Sequence, residues 1–119
     1  MATYFDTLKL HGVAHVFNSW ADMPPVGEQL ALTGSLTNPE FAGARFLLKP
    51  GRKYQEAVDL FSPYDKIKEP YEEARAATAE LIRAALLKQA IRKLFIYVNN
   101  CLEGNALLTI MAMLEAQND

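Results

Sequence analysis

The feature that most constrains the fold is the alternation of short apolar segments with helical segments. Three short, largely apolar segments predict buried strands, at residues 13–17, 41–48 and 94–98. Helices are predicted around and between them, at residues 3–10, 26–32, 54–61, 70–92 and 105–115. Strands that alternate with helices form a parallel sheet with right-handed crossovers. The sequence therefore predicts an α/β fold with three parallel strands and flanking helices.

The strand segments are apolar over most of their length, without a clear alternation of apolar and polar residues. This pattern is typical of parallel strands with both sheet faces covered. The pattern therefore indicates strands of a sheet with two covered faces. Arg45 interrupts the second segment, between Ala44 and Phe46. A buried guanidinium must be paired, because an unpaired buried charge costs roughly 3–5 kcal/mol. We expect Arg45 to pair with Asp22 or Glu103, or to bind an anionic ligand.

Length and composition indicate one cytoplasmic domain over residues 1–119. The net charge of −2 gives no reason to expect a nucleic-acid partner. The single cysteine excludes an internal disulfide and suits a reducing compartment. No apolar run approaches the roughly 20 residues of a membrane helix, and the first residues do not form a signal peptide. No metal is predicted, since the chain lacks a Cys/His cluster, and no cofactor, since it lacks a Gly-rich nucleotide loop.

Polar residues follow each predicted strand. The three segments are 18–22, 49–52 and 99–105. Functional groups of parallel α/β folds gather at the carboxyl ends of the strands, which meet at one rim of the sheet. The sequence therefore predicts a site at this rim, without specifying its chemistry.

The segment after the third strand, Asn99-Asn100-Cys101-Leu102-Glu103-Gly104-Asn105, is the richest in such groups. Asn99 and Asn100 could bind ligand hydroxyl groups, or they could cap the helix that follows. Glu103 is a weak candidate for a general acid or base, and a glutamate here could equally favour the helix dipole. Gly104 is expected in a tight turn or at a close backbone approach, beside a ligand or another segment.

Two further groups of residues are candidates at the other strand ends. Lys49 and Arg52 could hold a phosphate beside the Gly51 turn, although short basic loops are commonly just solvated. Trp20 could stack against a ligand at the rim or fill space under its own loop. Asn18, at the end of the first strand segment, completes the set of candidate ligand-binding residues.

Four segments of the chain resemble the YecE-like family, the domain of unknown function 72. They are HGVAHVFNSWADMPP, ARFLLKPGRKY, FSPYDKIKEPYEEAR and YVNNCLEGNA. The resemblance implies a (β/α)-barrel with a site at the carboxyl ends of the strands, to which Asn18, Arg45, Asn99, Asn100, Glu103 and Gly104 would contribute. Many relatives carry a histidine where this chain has Cys101, and some carry a His-Gly pair after the strand arginine. A proton-transfer role of those histidines is therefore not expected here.

The resemblance covers only the C-terminal portion of such a barrel, its last three strands. A complete (β/α)-barrel needs about 250 residues. The initial methionine leaves a natural partial domain and a fragment as alternatives. Three parallel strands cannot close a barrel, so unpaired edges and an apolar inner face are expected.

We expect the chain to cover these surfaces by association, as a symmetric dimer, by exchanging elements, or with a complementary half-barrel chain. A binding or assembly module is the first functional hypothesis. The alternative is an enzyme or enzyme remnant that binds a small polar or phosphorylated, sugar-like ligand at the rim. The sequence does not decide whether the chain is an enzyme.

Overall fold

The computed structural model describes residues 2–116, and the predicted α/β class is confirmed there. Five helices and three strands follow one another along this part of the chain: α1 (Ala2–Leu10), β1 (Val16–Ser19), α2 (Val26–Ala31), β2 (Phe41–Phe46), α3 (Tyr54–Phe61), α4 (Glu72–Leu86), β3 (Lys93–Val98) and α5 (Ala106–Glu115). The strands form one parallel sheet in the order β1-β2-β3. In its register Arg45 lies between Asn18 on β1 and Tyr97 on β3.

The main core lies on one side of this sheet, between the strands and helices α2, α4 and α5. Phe17, Ala44 and Phe46 point into it from the strands and are fully buried. The helices and the loop after β3 contribute the remaining buried residues, which are Val26, Ala74, Ala77, Leu81, Leu102 and Met113. The result is a flat molecule with extents of 43 × 31 × 17 Å.

No described residue packs over the other side of the sheet, so the two covered faces that the apolar strands indicated are not present in the single chain, whereas the uncovered apolar face expected of three strands is. We call this side the open face; it carries Val16, Asn18, Phe41, Gly43, Arg45, Lys93, Phe95 and Tyr97. Phe95 is 48% exposed and Tyr97 60% exposed. Successive strand residues point to opposite faces. Since apolar residues occupy both sets of positions, the sequence pattern does not distinguish the buried face from the exposed one.

The two edges of the sheet differ. At β1, the side-chain amide of Gln29 accepts from the N–H of Asn18 at 3.4 Å and donates to its carbonyl at 3.0 Å. Gln29 therefore takes the place of a neighbouring strand at that residue. At β3, the N–H groups of Lys93 and Asn99 point to β2, so those of Leu94, Ile96 and Val98 point outward. No strand among the described residues pairs with this outer edge.

Helix α5 also carries an exposed apolar surface. Its residues 106–114 include no charged side chain. Thr109 and Met113 are buried, whereas the apolar residues of what we call the outer face of α5 are exposed: Leu107, Leu108, Ile110, Met111 and Leu114. No helix within residues 2–116 is long and apolar enough to cross a membrane.

Two predicted boundaries need correction. The first strand is Val16–Ser19 instead of 13–17. Its start is later because the Thr37 hydroxyl accepts from His15 N–H and donates to the Val13 carbonyl. Its end is later because Ser19 pairs with Phe46 in the sheet. The long helix ends at Leu86 instead of Arg92. Residues 87–92 are needed to return the chain to the start of β2, where Arg92 N–H donates to the Pro39 carbonyl.

Candidate functional site

Backbone hydrogen bonds hold the loops after β1 and β2 together at the rim. The carbonyl of Ser19 accepts from the N–H groups of Leu47 and Leu48 at 3.1 and 3.0 Å. Two residues further along, the carbonyl of Ala21 accepts from Gly51 N–H at 2.9 Å. Trp20 stands between these two attachment points, so its backbone is fixed on both sides.

The asparagines after β3 use their side-chain oxygens within the protein. Asn99 Oδ1 accepts from Cys101 N–H at 2.8 Å, and Asn100 Oδ1 accepts from Ala106 N–H at 2.7 Å. Asn105 is the N-cap of α5, with its Oδ1 2.9 Å from Leu108 N. Asn100 and Asn105 therefore satisfy backbone donors at the start of α5.

Glu103 is fully buried and its carboxylate is saturated by internal donors. Oε2 accepts from Tyr71 N–H at 2.6 Å and from Arg75 Nε at 2.9 Å. Oε1 accepts from Arg75 Nη2 at 3.1 Å and from the Thr109 hydroxyl at 2.6 Å. This two-pronged pair joins the loop after β3 to the first turn of α4 and to α5. The geometry gives Glu103 a structural position without access to a substrate.

Gly104 follows at a close contact between two backbones. Its φ of 126° lies in the region that side chains disfavour. A Cβ at this residue would approach the Lys66 carbonyl oxygen to 2.4 Å. Glycine is therefore required for packing the loop against residues 66–68, where Lys68 N–H donates to the Glu103 carbonyl. The close approach is to the protein's own chain.

Arg45 does not have the carboxylate partner that we expected. It lies on the open face, exposed, and forms no ion pair or hydrogen bond with any residue that the structure describes. Its neighbours Ala44 and Phe46 point to the helices, so Arg45 points away from them. Glu103, one of the expected partners, is occupied by Arg75. The guanidinium therefore remains available at the surface.

Lys49 and Arg52 are both directed to Glu69. Lys49 Nζ lies 3.5 Å from Glu69 Oε1, and Arg52 Nη2 bonds to the same oxygen. The Arg52 guanidinium, through this hydrogen bond, holds the pKa of the Glu69 carboxyl below its usual range. A carboxylate thus already occupies the position at which these two cations would hold a phosphate.

Three of the predicted site residues meet in one small cavity, which we call the rim pocket. Trp20, Arg45 and Asn99 line it together with Leu47, Tyr54 and Cys101, and its volume is about 230 Å³. Asn18 is the neighbour of Arg45 across the β1–β2 ladder, and its side-chain oxygen is buried without a hydrogen-bond partner among the described residues. Asn100, Glu103, Gly104, Lys49 and Arg52 do not line the pocket.

Comparisons of this chain with protein-family models, with curated proteins and with solved structures find no match. The resemblance to the YecE-like family therefore depends on the four sequence segments alone and stays a prediction.

Sequence reasoning did not identify Tyr54 or Arg75. Tyr54 begins α3 directly after the polar segment that follows β2, and this position at the rim was the available signal. Arg75 lies on α4, 28 residues before Glu103, and nothing in its sequence neighbourhood predicts that contact. Only the packing of the α5 loop against α4 brings the two together.

Proposed function

We propose that this chain is a self-associating half of a (β/α)-barrel, an assembly module in which a second copy covers the open face. The observation that carries the proposal is the row of exposed apolar side chains on that face, Val16, Phe41, Phe95 and Tyr97, while helices α2, α4 and α5 pack on the opposite side. Contiguous apolar surface of this kind marks interaction sites in stable proteins.

The accessible surface of the chain is larger than that expected of a folded monomer of its mass. It is 7037 Å² for this chain of 13.3 kDa. The scaling for folded monomers gives about 6,450 Å² at this mass. The chain therefore exposes somewhat more surface than a compact monomer of its mass. The flat shape has the same origin, since only one side of the sheet is packed.

A second copy is the partner that these surfaces suit best. The β3 edge offers unpaired backbone groups beside the outer face of α5, which has no charge before Glu115. Two copies can place their open faces together around a two-fold axis, and the free β3 edge borders that face. The β1 edge is less suited to pairing, because Gln29 already bonds the backbone of Asn18.

The two cations of the open face are compatible with this arrangement. Lys93 begins β3, whereas Arg45 lies near the carboxyl end of β2. Each can extend its charged group to solvent at its own end of the strands while its aliphatic stem and the apolar residues between them are covered. We place the contact on Val16, Phe41, Phe95 and Tyr97.

Catalysis by the loop after β3 is a less well supported function. Its one carboxylate, Glu103, is bonded to Arg75, Thr109 and Tyr71, so no acid or base is presented to a ligand there. A single copy would also lack the groups that further strands of a barrel supply, and catalysis tolerates misplaced groups poorly.

Sedimentation equilibrium at micromolar concentration tests the proposal. We expect the wild-type chain to form a dimer, and the double variant Phe95→Glu/Tyr97→Glu to be a folded monomer. Four carboxylates buried without partners at the dimer interface should weaken association at least 100-fold. Both positions are about half exposed in the single chain, so circular dichroism should be unchanged.

The matched control is Leu86→Glu/Leu87→Glu, which adds the same charge at two exposed leucines near the end of α4. This variant should remain dimeric. A wild-type monomer at micromolar concentration would contradict the proposal. Dimerisation that survives in the open-face variant would also contradict it, because another surface would then hold the copies together.

A further inference from the structure

We propose that the rim pocket binds a small aromatic carboxylate. The pocket joins a guanidinium to two aromatic side chains, and among the described residues none that lines it is acidic and none pairs with the guanidinium. Its lining comes from a single chain, and Arg45 lies near the carboxyl end of β2, where its charged group can extend beyond a second copy that covers the open face.

The apolar part of the pocket consists of rings on two fixed segments. Trp20 is held through its neighbours Ser19 and Ala21, whose carbonyls accept from the loop after β2. Tyr54 is the first residue of α3. Both rings are partly exposed, and Leu47 lies with them in the lining. Aromatic walls of this kind favour a flat apolar body, since stacked rings gain more than burial of the same area alone.

The polar part of the pocket offers donors. Arg45 has five N–H groups and no partner among the described residues. Asn99 directs its side-chain oxygen to Cys101 N–H, which leaves its Nδ2 group to donate. A ligand that fits must therefore bring acceptors, and a negative charge is favoured beside the guanidinium.

A carboxylate matches this arrangement better than a phosphate. The planar guanidinium pairs with both oxygens of a carboxylate in one plane, which is also the plane of an attached aromatic ring. A phosphate would need further cations, and the nearest candidates from the sequence, Lys49 and Arg52, are bonded to Glu69. The volume of about 230 Å³ also limits the ligand to a single small ring.

The fluorescence of Trp20 reports directly on this pocket, because Trp20 is the only tryptophan of the chain. Titration of the full chain with benzoate should change the emission saturably, with a Kd on the order of 1 mM for so small a ligand. Benzamide keeps the ring without the charge, acetate keeps the charge without the ring, and glucuronate replaces the flat ring with a sugar. Each of these should bind at least 10-fold more weakly than benzoate.

Variants at Arg45 separate a specific ion pair from general charge attraction. Arg45→Met should weaken benzoate binding at least 10-fold, since a hydrogen-bonded charge pair is lost. Arg45→Lys keeps the charge but not the two-pronged geometry, and it should restore only part of the affinity. Arg83→Met is the matched control, because Arg83 is exposed on α4 and does not line the pocket. It should bind benzoate as the wild type does.

The proposal is overturned if benzoate causes no saturable change, or if Arg45→Met binds benzoate as tightly as Arg83→Met does. Equal binding of benzamide would remove the role of the carboxylate, and tighter binding of glucuronate would remove the role of the aromatic ring. Sedimentation of the same samples shows whether the oligomeric state has changed, so the outcome does not depend on dimerisation.

Discussion

The loop after β3 and the open face differ in an unexpected way: polar residues of the loop are buried, whereas apolar residues of the open face are exposed. The loop is polar, at residues 99–105, yet Glu103 and Gly104 are buried and their hydrogen-bonding groups are used inside the protein. The open face is largely apolar, yet Phe95 and Tyr97 are exposed. Polar residues that resemble a site therefore stabilise the fold, and apolar residues that resemble a core remain exposed in the single chain.

Two arginines make the same contrast at the level of single side chains. Arg75 pairs with a fully buried carboxylate through both Nε and Nη2. Arg45 stands in a strand between two buried residues but has no partner among the described residues. The first arginine belongs to the fold, and the second is available to a ligand.

The largest effect is expected from Glu103→Ala. The substitution leaves the largely buried Arg75 guanidinium with only a 3.7 Å ion pair to the exposed Glu72 carboxylate, which costs about 3–5 kcal/mol of the free energy of unfolding. Chemical denaturation followed by circular dichroism measures this cost. Glu80→Ala is the control: it removes the partner of Arg83 in an exposed ion pair on α4, and should cost about 0–1 kcal/mol. Equal costs at the two glutamates would remove the contrast between the buried loop and the surface.

A smaller effect is expected from Gly104→Ala. The new Cβ would adopt a disfavoured φ and would also collide with the Lys66 carbonyl, so we expect a loss of about 2–3 kcal/mol. Gly51→Ala is matched, since Gly51 also has a positive φ but no atom within 4 Å of an added Cβ. It should cost about 1–2 kcal/mol from conformation alone. Denaturation midpoints that coincide for the two variants would show that the contact with Lys66 contributes nothing.

The smallest effect is expected from Asn105→Ala. The substitution removes the acceptor of Leu108 N–H and the donor to the Tyr64 carbonyl, at a cost of about 1–2 kcal/mol. Gln55→Ala removes a hydrogen bond to Asp59 on the exposed side of α3 and should cost less than about 0.5 kcal/mol. Thermal unfolding of both variants compares them directly. An unchanged stability of Asn105→Ala would mean that water replaces the cap, and the loop would then be less important to the fold than we infer.

The elements of this fold are largely predictable from the sequence, because turn residues and apolar segments alternate at lengths that fit strands and helices. The direction of the Arg45 side chain is not predictable in the same way. The strand contains apolar residues at both its inward and its outward positions, so the sequence does not show which face Arg45 occupies. The role of Glu103 was also hidden. Its partner Arg75 is 28 residues away, and only the three-dimensional packing of α4 against the loop reveals the pair.

Part of the rim pocket could be predicted, because the sequence shows which residues stand at the ends of the strands. Trp20, Arg45 and Asn99 follow or end neighbouring strands, and the parallel sheet brings them to one rim. Asn100 has the same residue type and an adjacent position, but its oxygen bonds Ala106 N–H. Residue type and strand order do not separate these two asparagines, because the difference arises from how the chain turns into α5.

The central claim is that a second copy covers the open face, and contacts between copies at Phe95 and Tyr97 test it most directly. Isotope-filtered NMR on a mixture of labelled and unlabelled chains detects proton contacts between copies alone. We predict such contacts from the rings of Phe95 and Tyr97 to the partner copy. Their absence in a sample that sedimentation shows to be dimeric, or contacts restricted to other surfaces, would contradict the account.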